Sequence, residues 1–481
     1  MQLSRRQFLA TTGGIAAAAS LPAWIPKVAY AEDECSDRDV IISIFLRGGA
    51  DGLTLCVPHA EDTYYDERPA LAIPRPDASG TFKAIDLDGF FGLPPQFGGL
   101  IPAYQNGDLL IVHAAGSTDP TRSHFDAMRY MEVGKPGDLT LNTGWLGRHL
   151  QTTSPLFPNS ILRGIGINFG LQRSLQGAPL TIPVPDLSNY NLSGDAATRN
   201  ARRAVIEAIH YQYTDALAAS AETTQRTIDL LQTIDFAGYV PEGGAVYPNN
   251  NFGRSMKSTA ALLKAEVGVE AVALDMGGWD THIQQIVTYG GGMSNLMVTL
   301  GDSLAAFYAD LFSGPRRNVT IVVMSEFGRR IDQNASLGLD HGHGGIMFLI
   351  GPGIDGGRVH ADWPGLEVEN RFEGIDLAIT TDYRDVLAEI VQNRLGNSDL
   401  SAVFPGYSPV FRGVTRACMR GDLNCDGSRG LDDVVPFTQA VLHPESYKDE
   451  HPTCPINAAD LNGDGTIDGQ DVVEFVNKLL E

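Results

Sequence analysis

The chain has 481 residues, 43% of them hydrophobic and 19% charged, which is typical of globular proteins and excludes a disordered or fibrous chain. At roughly 100–200 residues per domain, a chain of this length is expected to form about two to four domains. The formal net charge of −23 excludes a nucleic acid as the expected partner, because phosphates require a basic face, and it favours solubility and calcium binding.

The first 31 residues are predicted to be a removable export signal and not part of the folded protein. Arg5 and Arg6 precede a short apolar run at 13–21, and the segment ends in Ala29-Tyr30-Ala31, an A-x-A cleavage site. This order of features resembles a twin-arginine signal, whereas the alternative, a membrane anchor, would need a longer apolar run. We therefore expect twin-arginine export to the periplasm, the cell surface or the medium, and a mature chain without a transmembrane segment.

Between residues 32 and 412, apolar segments alternate with helical patterns. Strands are predicted at 39–46, 108–114, 269–274, 318–324 and 345–350, and helices from about 123 and at about 200–235, 252–266, 293–312 and 382–395. Near-continuous apolar strands separated by helices are typical of a mostly parallel sheet with helices on both faces. The sequence therefore predicts an α/β body.

Ionisable residues lie in the loops next to these strands. In parallel sheets the ligand site lies beyond the carboxyl ends of the strands, so we expect side chains from the separate loops to meet there. Carboxylates and imidazoles together are suitable ligands for zinc or manganese. The candidate metal ligands are Asp51, Asp280, His282, Glu326, His341 and His343.

Each candidate ligand also has a purely structural interpretation. Asp51 lies among glycines and could be a turn former, and Asp280 with His282 could cap the following helix. Glu326 could form an ion pair with a neighbouring arginine. For the glycine-flanked histidines of segment 340–344, we expect at least one to bind the metal, because glycine permits close approach of the backbone.

A candidate nucleophile lies in the turn after the second predicted strand. Ser123 is predicted at a helix N-terminus, where free N–H groups attract anions. Arg122 is suited to hold a phosphate or sulfate oxygen through paired hydrogen bonds. We take Ser123 and Arg122 as the candidate catalytic residues, with Thr121 as an alternative nucleophile. The structural alternative is an ordinary helix N-cap.

The C-terminal segment contains a duplicated acidic loop. The sequence DLNCDG at 422–427 recurs as DLNGDG at 460–465, and each copy is followed by an aspartate at the twelfth loop position. Oxygen ligands at positions 1, 3, 5, 7 and 12, with a glycine at position 6, are the pattern of a calcium loop. Two calcium sites are therefore predicted, with the ligands Asp422, Asn424, Asp426, Ser428 and Asp433 in one and Asp460, Asn462, Asp464, Thr466, Asp468 and Asp471 in the other.

An equivalent apolar pattern follows each loop. It consists of Val434, Val435, Phe437, Val441 and Leu442 after the first loop and Val472, Val473, Phe475, Leu479 and Leu480 after the second. This spacing predicts one apolar face on each of two helices. We expect the two faces to bury each other in a small all-α, calcium-binding domain at residues 413–481.

Two loop–helix units without an entering helix resemble a type I dockerin over about residues 418–481. The resemblance implies a cohesin-like or cell-surface partner, bound through loop positions 10 and 11. Those positions are Leu431-Asp432 and Gly469-Gln470, which differ from the Ser/Thr pair common in dockerins, so a surface or intramolecular docking role is equally open. The favoured disulfide joins Cys425 to Cys454 across the connection between the repeats.

The body resembles the domain-of-unknown-function family 1501. The resemblance rests on five motifs in order, FLRGGADGL at 45–53, RSHF at 122–125, GGWDTH at 277–282, SEFGR at 325–329 and DHG at 340–342. The pattern of that family is similar to the alkaline phosphatase/sulfatase superfamily. By this likeness Asp51 and Glu326 are expected to bind one metal. A second metal would be bound by the remaining candidates, Asp280, His282 and one of His341 and His343.

Two functions of different class follow from these features. The first is an exported calcium-binding protein whose body is a metal-dependent hydrolase of phosphate or sulfate esters, in which the ion polarises the ester and activates the attacking hydroxyl or water. The second is a non-catalytic secreted or cell-surface binding protein anchored through its dockerin-like tail. Both have a signal at 1–31, an alkaline phosphatase-like body at 32–412 and a calcium-binding tail at 413–481.

Overall fold

The structure is a computed structural model that describes residues 38–156, 160–210, 216–313, 317–416, 420–424, 429–451, 454, 456–462 and 466–480. The predicted export signal at 1–31 lies outside these residues. None of the described helices is both long enough and apolar enough to cross a membrane.

Eleven strands are present in the described part of the chain. They are β1 (Val40–Arg47), β2 (Ile85–Asp86), β3 (Gly92–Leu93), β4 (Leu109–Gly116), β5 (Gly164–Ile167), β6 (Thr181–Pro183), β7 (Ala271–Gly277), β8 (Val319–Ser325), β9 (Gly345–Ile350), β10 (Arg358–His360) and β11 (Thr381–Asp382). Nine of them form one sheet in the order β10-β4-β9-β8-β1-β7-β5-β6, with β11 also paired to β4. Among the described strands of this sheet, only β9 runs antiparallel to its neighbours, β4 and β8.

Fourteen α-helices accompany these strands within the described residues. They are α1 (Gly52–Leu55), α2 (Asp62–Glu67), α3 (Ile101–Gln105), α4 (His124–Val133), α5 (Trp145–Thr152), α6 (Ala196–His210), α7 (Ala216–Gln232), α8 (Asn251–Lys264), α9 (Gly292–Phe312), α10 (Tyr383–Asn393), α11 (Leu400–Val403), α12 (Val434–Leu442), α13 (Pro444–Glu450) and α14 (Asp471–Leu480).

The predicted α/β class with a mostly parallel sheet is confirmed. All five predicted strands are present, as β1, β4, β7, β8 and β9, whereas the long helical pattern at about 200–235 is two helices, α6 and α7. The other six strands, β2, β3, β5, β6, β10 and β11, were not predicted. They are only two to four residues long, so they contain too few positions for a recognisable apolar run.

Helices cover both faces of the sheet. Successive side chains of a strand point to opposite faces, so apolar side chains on both faces can pack against helices. In β1, Val40, Ile42 and Ile44 belong to one hydrophobic cluster, and Ile41 and Phe45 belong to another. Helices α8 and α9 contribute to the first cluster, and α4, α5 and α10 contribute to the second. Burial on both faces explains why the strands read as near-continuous apolar runs.

The antiparallel direction of β9 determines where the functional loops meet. The amino end of β9 lies at the edge where β4 and β8 have their carboxyl ends. The segments that leave β4, β7 and β8 and the segment that enters β9 therefore come together at one edge of the sheet.

The contacts of the body extend slightly beyond the predicted boundary at 412. The main-chain N–H of Asp355 donates to the carbonyl of Val414, and that of Arg416 donates to the carbonyl of Gly353, each at 3.0 Å. Val414 is also buried in the second hydrophobic cluster. The division into signal, body and tail otherwise stays a prediction.

Helices α12, α13 and α14 surround a small hydrophobic cluster of their own. The rings of Phe437 and Phe475 stack with centroids 4.0 Å apart, so the two repeats do meet through their helices. Tyr447 and the loop residues Leu423 and Leu461 also belong to the cluster.

The two apolar helix faces bury each other only in part. Most of the predicted apolar positions are exposed, namely Val434, Val435, Leu442, Val472, Val473 and Leu480. Loop residues and α13 occupy much of the small cluster, so each helix buries only a narrow stripe around its phenylalanine. So short a segment has too little volume to bury more.

Candidate functional site

Three histidines and one aspartate meet at the edge of the sheet described above. His124 is the first residue of α4 and follows β4, Asp280 and His282 lie on the loop after β7, and His341 lies shortly before β9. The sheet thus brings together the predicted candidates Asp280, His282 and His341 and adds His124, which was not among the predicted ligands.

The Nε2 atoms of the three histidines converge on one carboxylate oxygen. Asp280 Oδ1 lies 3.4 Å from His124 Nε2, 3.0 Å from His282 Nε2 and 3.3 Å from His341 Nε2. The Nε2 atoms of His282 and His341 are 2.9 Å apart. The potential ligand atoms of His124, Asp280 and His341 all lie within 4.8 Å of one another, a spacing that allows them to share one metal ion.

The other ring nitrogen of His341 identifies its tautomer. His341 Nδ1 is 2.8 Å from the main-chain oxygen of Arg122. A carbonyl oxygen only accepts hydrogen bonds, so Nδ1 carries the proton and Nε2 presents a lone pair to the cluster.

The same arrangement recurs at the other two histidines. His124 Nδ1 is 2.7 Å from Glu326 Oε1, and His282 Nδ1 is 2.9 Å from Asp340 Oδ1. Histidines that bind metals characteristically donate their second N–H to a carboxylate or a carbonyl, which fixes the ring and makes the free nitrogen a better ligand. All three imidazoles therefore have the orientation of metal ligands.

The donor set fits a divalent metal ion. The Nε2 atom of His124 is buried and has no hydrogen-bond partner. A buried acceptor without a donor is unfavourable, and a cation bound between the three Nε2 atoms and the carboxylate would satisfy the lone pair of His124. Imidazole nitrogens with a carboxylate oxygen suit zinc, and also manganese or iron.

Arg329 holds Asp280 in its charged form. Its buried guanidinium donates to Asp280 Oδ1 at 2.6 Å, to the carbonyl of Gly49 at 2.7 Å and to that of Leu339 at 2.9 Å. Partial burial opposes ionisation of Asp280, but the hydrogen bond and charge of Arg329, with the nearby His282, outweigh it and lower the pKa of Asp280 to about 2. Arg329 thus keeps the candidate ligand Asp280 anionic and connects three loops.

Close packing at the end of β1 leaves room only for glycine. Gly48 has φ +121°, and a Cβ atom there would lie 2.5 Å from the main-chain nitrogen of Asp280. The Gly48 N–H also donates to Glu326 Oε1 at 2.9 Å. The glycine-rich motif at 45–53 therefore supports the cluster through its backbone.

Glu326 lies beside the cluster as a support for His124. Its buried carboxylate accepts from the Gly48 N–H and from the Ser325 hydroxyl at 3.0 Å, and it contacts His124 Nδ1. These contacts assign Glu326 to orienting a ligand, and they do not support its prediction as a direct ligand.

Asp51 is not part of the cluster. Its fully buried carboxylate forms an ion pair with Arg68, 2.6 Å from Nη1 and 3.1 Å from Nη2, and accepts from Thr54 at 2.5 Å and Gln285 at 2.9 Å. Burial opposes ionisation of Asp51, but the charge and hydrogen bonds of Arg68, with those of Thr54 and Gln285, lower its pKa overall. Both oxygens are thus occupied by protein donors, and these contacts do not support the prediction that Asp51 binds a metal.

His343 also lies outside the cluster. Its ring is buried and stacks on Phe372 with centroids 3.9 Å apart. Burial, with a smaller effect of Arg122, lowers the pKa of His343 to about 4, so the ring is neutral. Of the two glycine-flanked histidines, the structure places only His341 at the candidate metal centre.

Ser123 and Arg122 have structural roles next to the cluster. Ser123 is the N-cap of α4, where its hydroxyl accepts from the Asp126 N–H at 3.5 Å. The Arg122 guanidinium donates to Asp376 at 2.5 Å and to Glu373 at 2.8 Å. The N-cap alternative is therefore observed, and the catalytic roles of Ser123 and Arg122 stay predictions.

The two predicted calcium loops share one hydrogen-bond frame. Asp433 Oδ1 accepts from the N–H groups of Leu423 at 2.6 Å and Asn424 at 3.0 Å, and Asp433 Oδ2 accepts from that of Gly430 at 2.8 Å. The second loop repeats this pattern with the carboxylate of Asp471, which accepts from Leu461, Asn462 and Asp468. The position-12 aspartates thus close both loops in the same way.

Other predicted features of the tail are described only in part. Asp422, Asn424, Asp460, Asn462, Thr466 and Asp468 lie within the described residues, and Asp426, Ser428 and Asp464 lie outside them. Cys454 is disulfide-bonded, whereas Cys56 is free and buried. Cys425, its favoured partner, lies outside the described residues, so that pairing stays a prediction.

Sequence reasoning missed His124 and Asp340 as parts of the site. Both lie within motifs that were recognised, RSHF and DHG. The available signal for His124 was its place after a strand, directly behind the candidate catalytic residues Arg122 and Ser123. For Asp340 the signal was its position directly before His341.

The structure is weakly similar to several solved proteins. The C-terminal periplasmic domain of EptC from Escherichia coli, in complex with zinc, has a TM-score of 0.31 at 10% identity. The match covers 68% of this chain and 76% of the EptC chain. A protein in the alkaline phosphatase superfamily from Vibrio parahaemolyticus has a TM-score of 0.30 at 9% identity, and the match covers 73% of this chain and 69% of that protein. Alkaline phosphatase from the Antarctic bacterium TAB5 has a TM-score of 0.27 at 10% identity, and the match covers 65% of this chain and 92% of that enzyme.

Similarity at these TM-scores does not establish an activity for this protein. No curated protein matches the sequence. The family described as "Protein of unknown function (DUF1501)" matches residues 115–397, which include His124, Asp280, His282 and His341. The match spans more than half of the chain and confirms the resemblance seen in the motifs, so this protein belongs to the DUF1501 family.

Proposed function

We propose that the body is a metal-dependent hydrolase of phosphoric or sulfuric esters. The observation that carries the proposal is the convergence of three Nε2 atoms on the Asp280 carboxylate, with every Nδ1 held by an oxygen acceptor. The ester class follows from the motif pattern described in the sequence, which is similar to that of the alkaline phosphatase/sulfatase superfamily.

A zinc or manganese ion at this centre would supply a Lewis acid for the ester oxygen and would activate water near neutral pH. The residues of the protein would orient the ligands and keep them in the required protonation states. Glu326, Asp340 and the Arg122 carbonyl hold protons on the Nδ1 atoms, and Arg329 keeps Asp280 anionic. Ser123 is the residue that we propose as a nucleophile, because it directly precedes the ligand His124.

The first experiment measures metal content. We expect about one zinc or manganese ion per chain in the full-length protein by mass spectrometry, and loss of that ion in His124→Ala. His443→Ala, which changes an exposed tail histidine, serves as the matched control and should retain the ion. A folded protein that holds no metal and cannot be reconstituted would contradict the proposal.

The second experiment measures turnover on a panel of phosphate and sulfate esters. Hydrolysis by the metal-loaded protein that disappears in Asp280→Ala supports the proposal. If Ser123→Ala retains activity, the attacking group is water and not Ser123. No turnover of any ester by a metal-loaded protein favours the second candidate, a non-catalytic binding protein, which the engaged state of Arg122 also favours.

For the C-terminal segment we propose two calcium sites and an attachment role. The support is the duplicated loop sequence and the shared frame around Asp433 and Asp471. Together with the predicted twin-arginine signal, the calcium-binding tail leads us to propose an exported protein. Its body would act outside the cytoplasm while its tail binds a cohesin-like or cell-surface partner. Detection of the processed chain outside the cytoplasm tests the export step.

A further inference from the structure

Exposed apolar side chains directly follow two histidines of the candidate metal centre, and a third lies on a loop bonded to one of them. Phe125, directly after His124, is 89% exposed, and Ile283, directly after His282, is 70% exposed. Leu337 is 48% exposed, and its carbonyl accepts from the Gln285 N–H at 2.7 Å, which joins its loop to the one that carries His282. We call Phe125, Ile283 and Leu337 the apolar rim.

A fourth apolar side chain lies on the same edge of the sheet. Phe169 follows β5 and is 90% exposed. Its neighbour Asn168 donates to Asp275 Oδ2 at 3.1 Å, near the carboxyl end of β7. Large hydrophobic side chains exposed together on a folded surface usually mark a binding site.

The arginines that contact the cluster are already neutralised by protein carboxylates. Arg329 is fully buried and pairs with Asp280, and Arg122 pairs with Asp376 and Glu373. Neither is available to balance additional negative charge on a ligand. The organic part of the ligand is therefore expected to be uncharged where it passes these residues.

We propose that the apolar rim binds the organic group of the ester, and that the preferred substrates carry an aryl or alkyl group next to the ester. The inference rests on the proposed function, because the rim is argued from its place beside the candidate ligands. An ester held at the cluster would have its organic group within reach of the residues that directly follow His124 and His282, because neighbouring residues are only about 3.8 Å apart. Apolar contact there raises affinity in proportion to the area removed from water.

The test uses the full-length, zinc-loaded protein and two inhibitors, phenylphosphonate and methylphosphonate, measured by titration calorimetry. We expect phenylphosphonate to bind about tenfold more tightly or better. The double variant Phe125→Ser/Ile283→Ser should reduce that preference to about threefold or less while zinc content and methylphosphonate affinity stay unchanged. Val246→Ser is the control, because Val246 is 82% exposed and lies near Gly243, which packs against the C-terminal end of α9.

Equal affinity for the two phosphonates would overturn this inference and leave the proposed function intact. Failure of the zinc-loaded protein to bind either phosphonate would overturn both. A third outcome is loss of binding to phosphatidylglycerol–phosphatidylcholine vesicles in the double variant, with an unchanged phosphonate preference. That result would assign the rim to a membrane surface and overturn the inference.

Discussion

At the scale of single residues, hydrogen bonds at Nδ1 distinguish the cluster from three histidines that are merely close together. A neutral imidazole has one donor and one acceptor, so fixing the donor also fixes where the lone pair points. Glu326, Asp340 and the Arg122 carbonyl do this for three rings whose Nε2 atoms then face one carboxylate. Much of the candidate site therefore consists of residues that would never touch the metal.

Glu326→Gln is expected to weaken zinc binding by about 10–100-fold, because an amide orients His124 less strongly than a carboxylate does. Competition with a fluorescent chelator measures the affinity. Glu367→Gln changes an exposed glutamate and serves as the control. Complete loss of the ion would instead indicate that Glu326 is itself a ligand.

Asp51→Asn is expected to destabilise the body by about 3–5 kcal/mol while the native protein keeps its zinc, because Arg68 would be left buried without its charge partner. Urea unfolding measures the change in free energy, and metal analysis of the folded fraction measures the ion. The double variant Asp51→Leu/Arg68→Met removes both charges and should recover part of the stability. Loss of zinc from a folded Asp51→Asn protein would restore the predicted metal role.

At the scale of elements, β4 carries a local irregularity that encloses another histidine. The pairing of β4 with β9 shifts between His113 and Ala115, and Ala114 has φ +52°. The Ala114 N–H donates to His113 Nδ1 at 2.8 Å, and His113 Nε2 lies 3.0 Å from the Cys56 carbonyl, to which it donates. A protonated ring could not accept from Ala114, so the bulge requires neutral His113.

This arrangement predicts a loss of stability in acid. Burial lowers the pKa of His113 to about 4, against an ordinary value of 6.5 in the unfolded chain. Between these values the unfolded state binds the proton and the folded state does not. Stability is therefore fully present above about pH 6.5 and falls toward pH 4, by about 2.5 kcal/mol for this group at pH 4.5.

His113→Gln should flatten this dependence, because glutamine does not titrate. Chemical denaturation at pH 7 and pH 4.5 measures the difference in unfolding free energy for both proteins. The same slope in both would show that His113 does not cause the acid sensitivity. His149, whose pKa is lowered to about 3 by burial with smaller effects of Arg38 and Arg163, adds a contribution of the same sign.

At the scale of the whole molecule, the body and the tail depend on different forces. The body buries both faces of a nine-stranded sheet, whereas the tail has one small cluster and two acidic loops. A small core of that kind needs support from bound ions or cross-links, and charged loop residues repel one another without a cation.

Removal of calcium is therefore expected to unfold the tail and leave the body intact. The four tryptophans are Trp24, Trp145, Trp279 and Trp363, so tryptophan fluorescence reports on the body alone once the signal is removed. A calcium-selective chelator should leave the thermal midpoint seen by tryptophan unchanged while it lowers helical circular dichroism. Asp433→Ala with Asp471→Ala should show the same loss without chelator. Unchanged dichroism in both experiments would exclude calcium as the stabiliser of the tail.

Patterns along the chain predicted the sheet well, because strands buried on both faces have a strong apolar signature. They also predicted which loops carry the site, since carboxyl ends of parallel strands share an edge. They did not distinguish ligands from supports. Whether Asp51 faces Arg68, or Glu326 faces His124, depends on contacts between distant segments, and a single sequence carries no signal for such pairs. In the tail the pattern located the helices correctly, but more of their apolar positions are exposed than the pattern predicted.

The position of β9 also constrains the order in which the chain can mature during synthesis. Every described strand that pairs with β4, namely β9, β10 and β11, comes more than two hundred residues after it. Until the ribosome has produced residues 345–350, β4 and the following His124 have no partner strand to hold them in place. Capture of the proposed metal ion is therefore expected to be a late event, because it requires that nearly the whole body has been translated and folded.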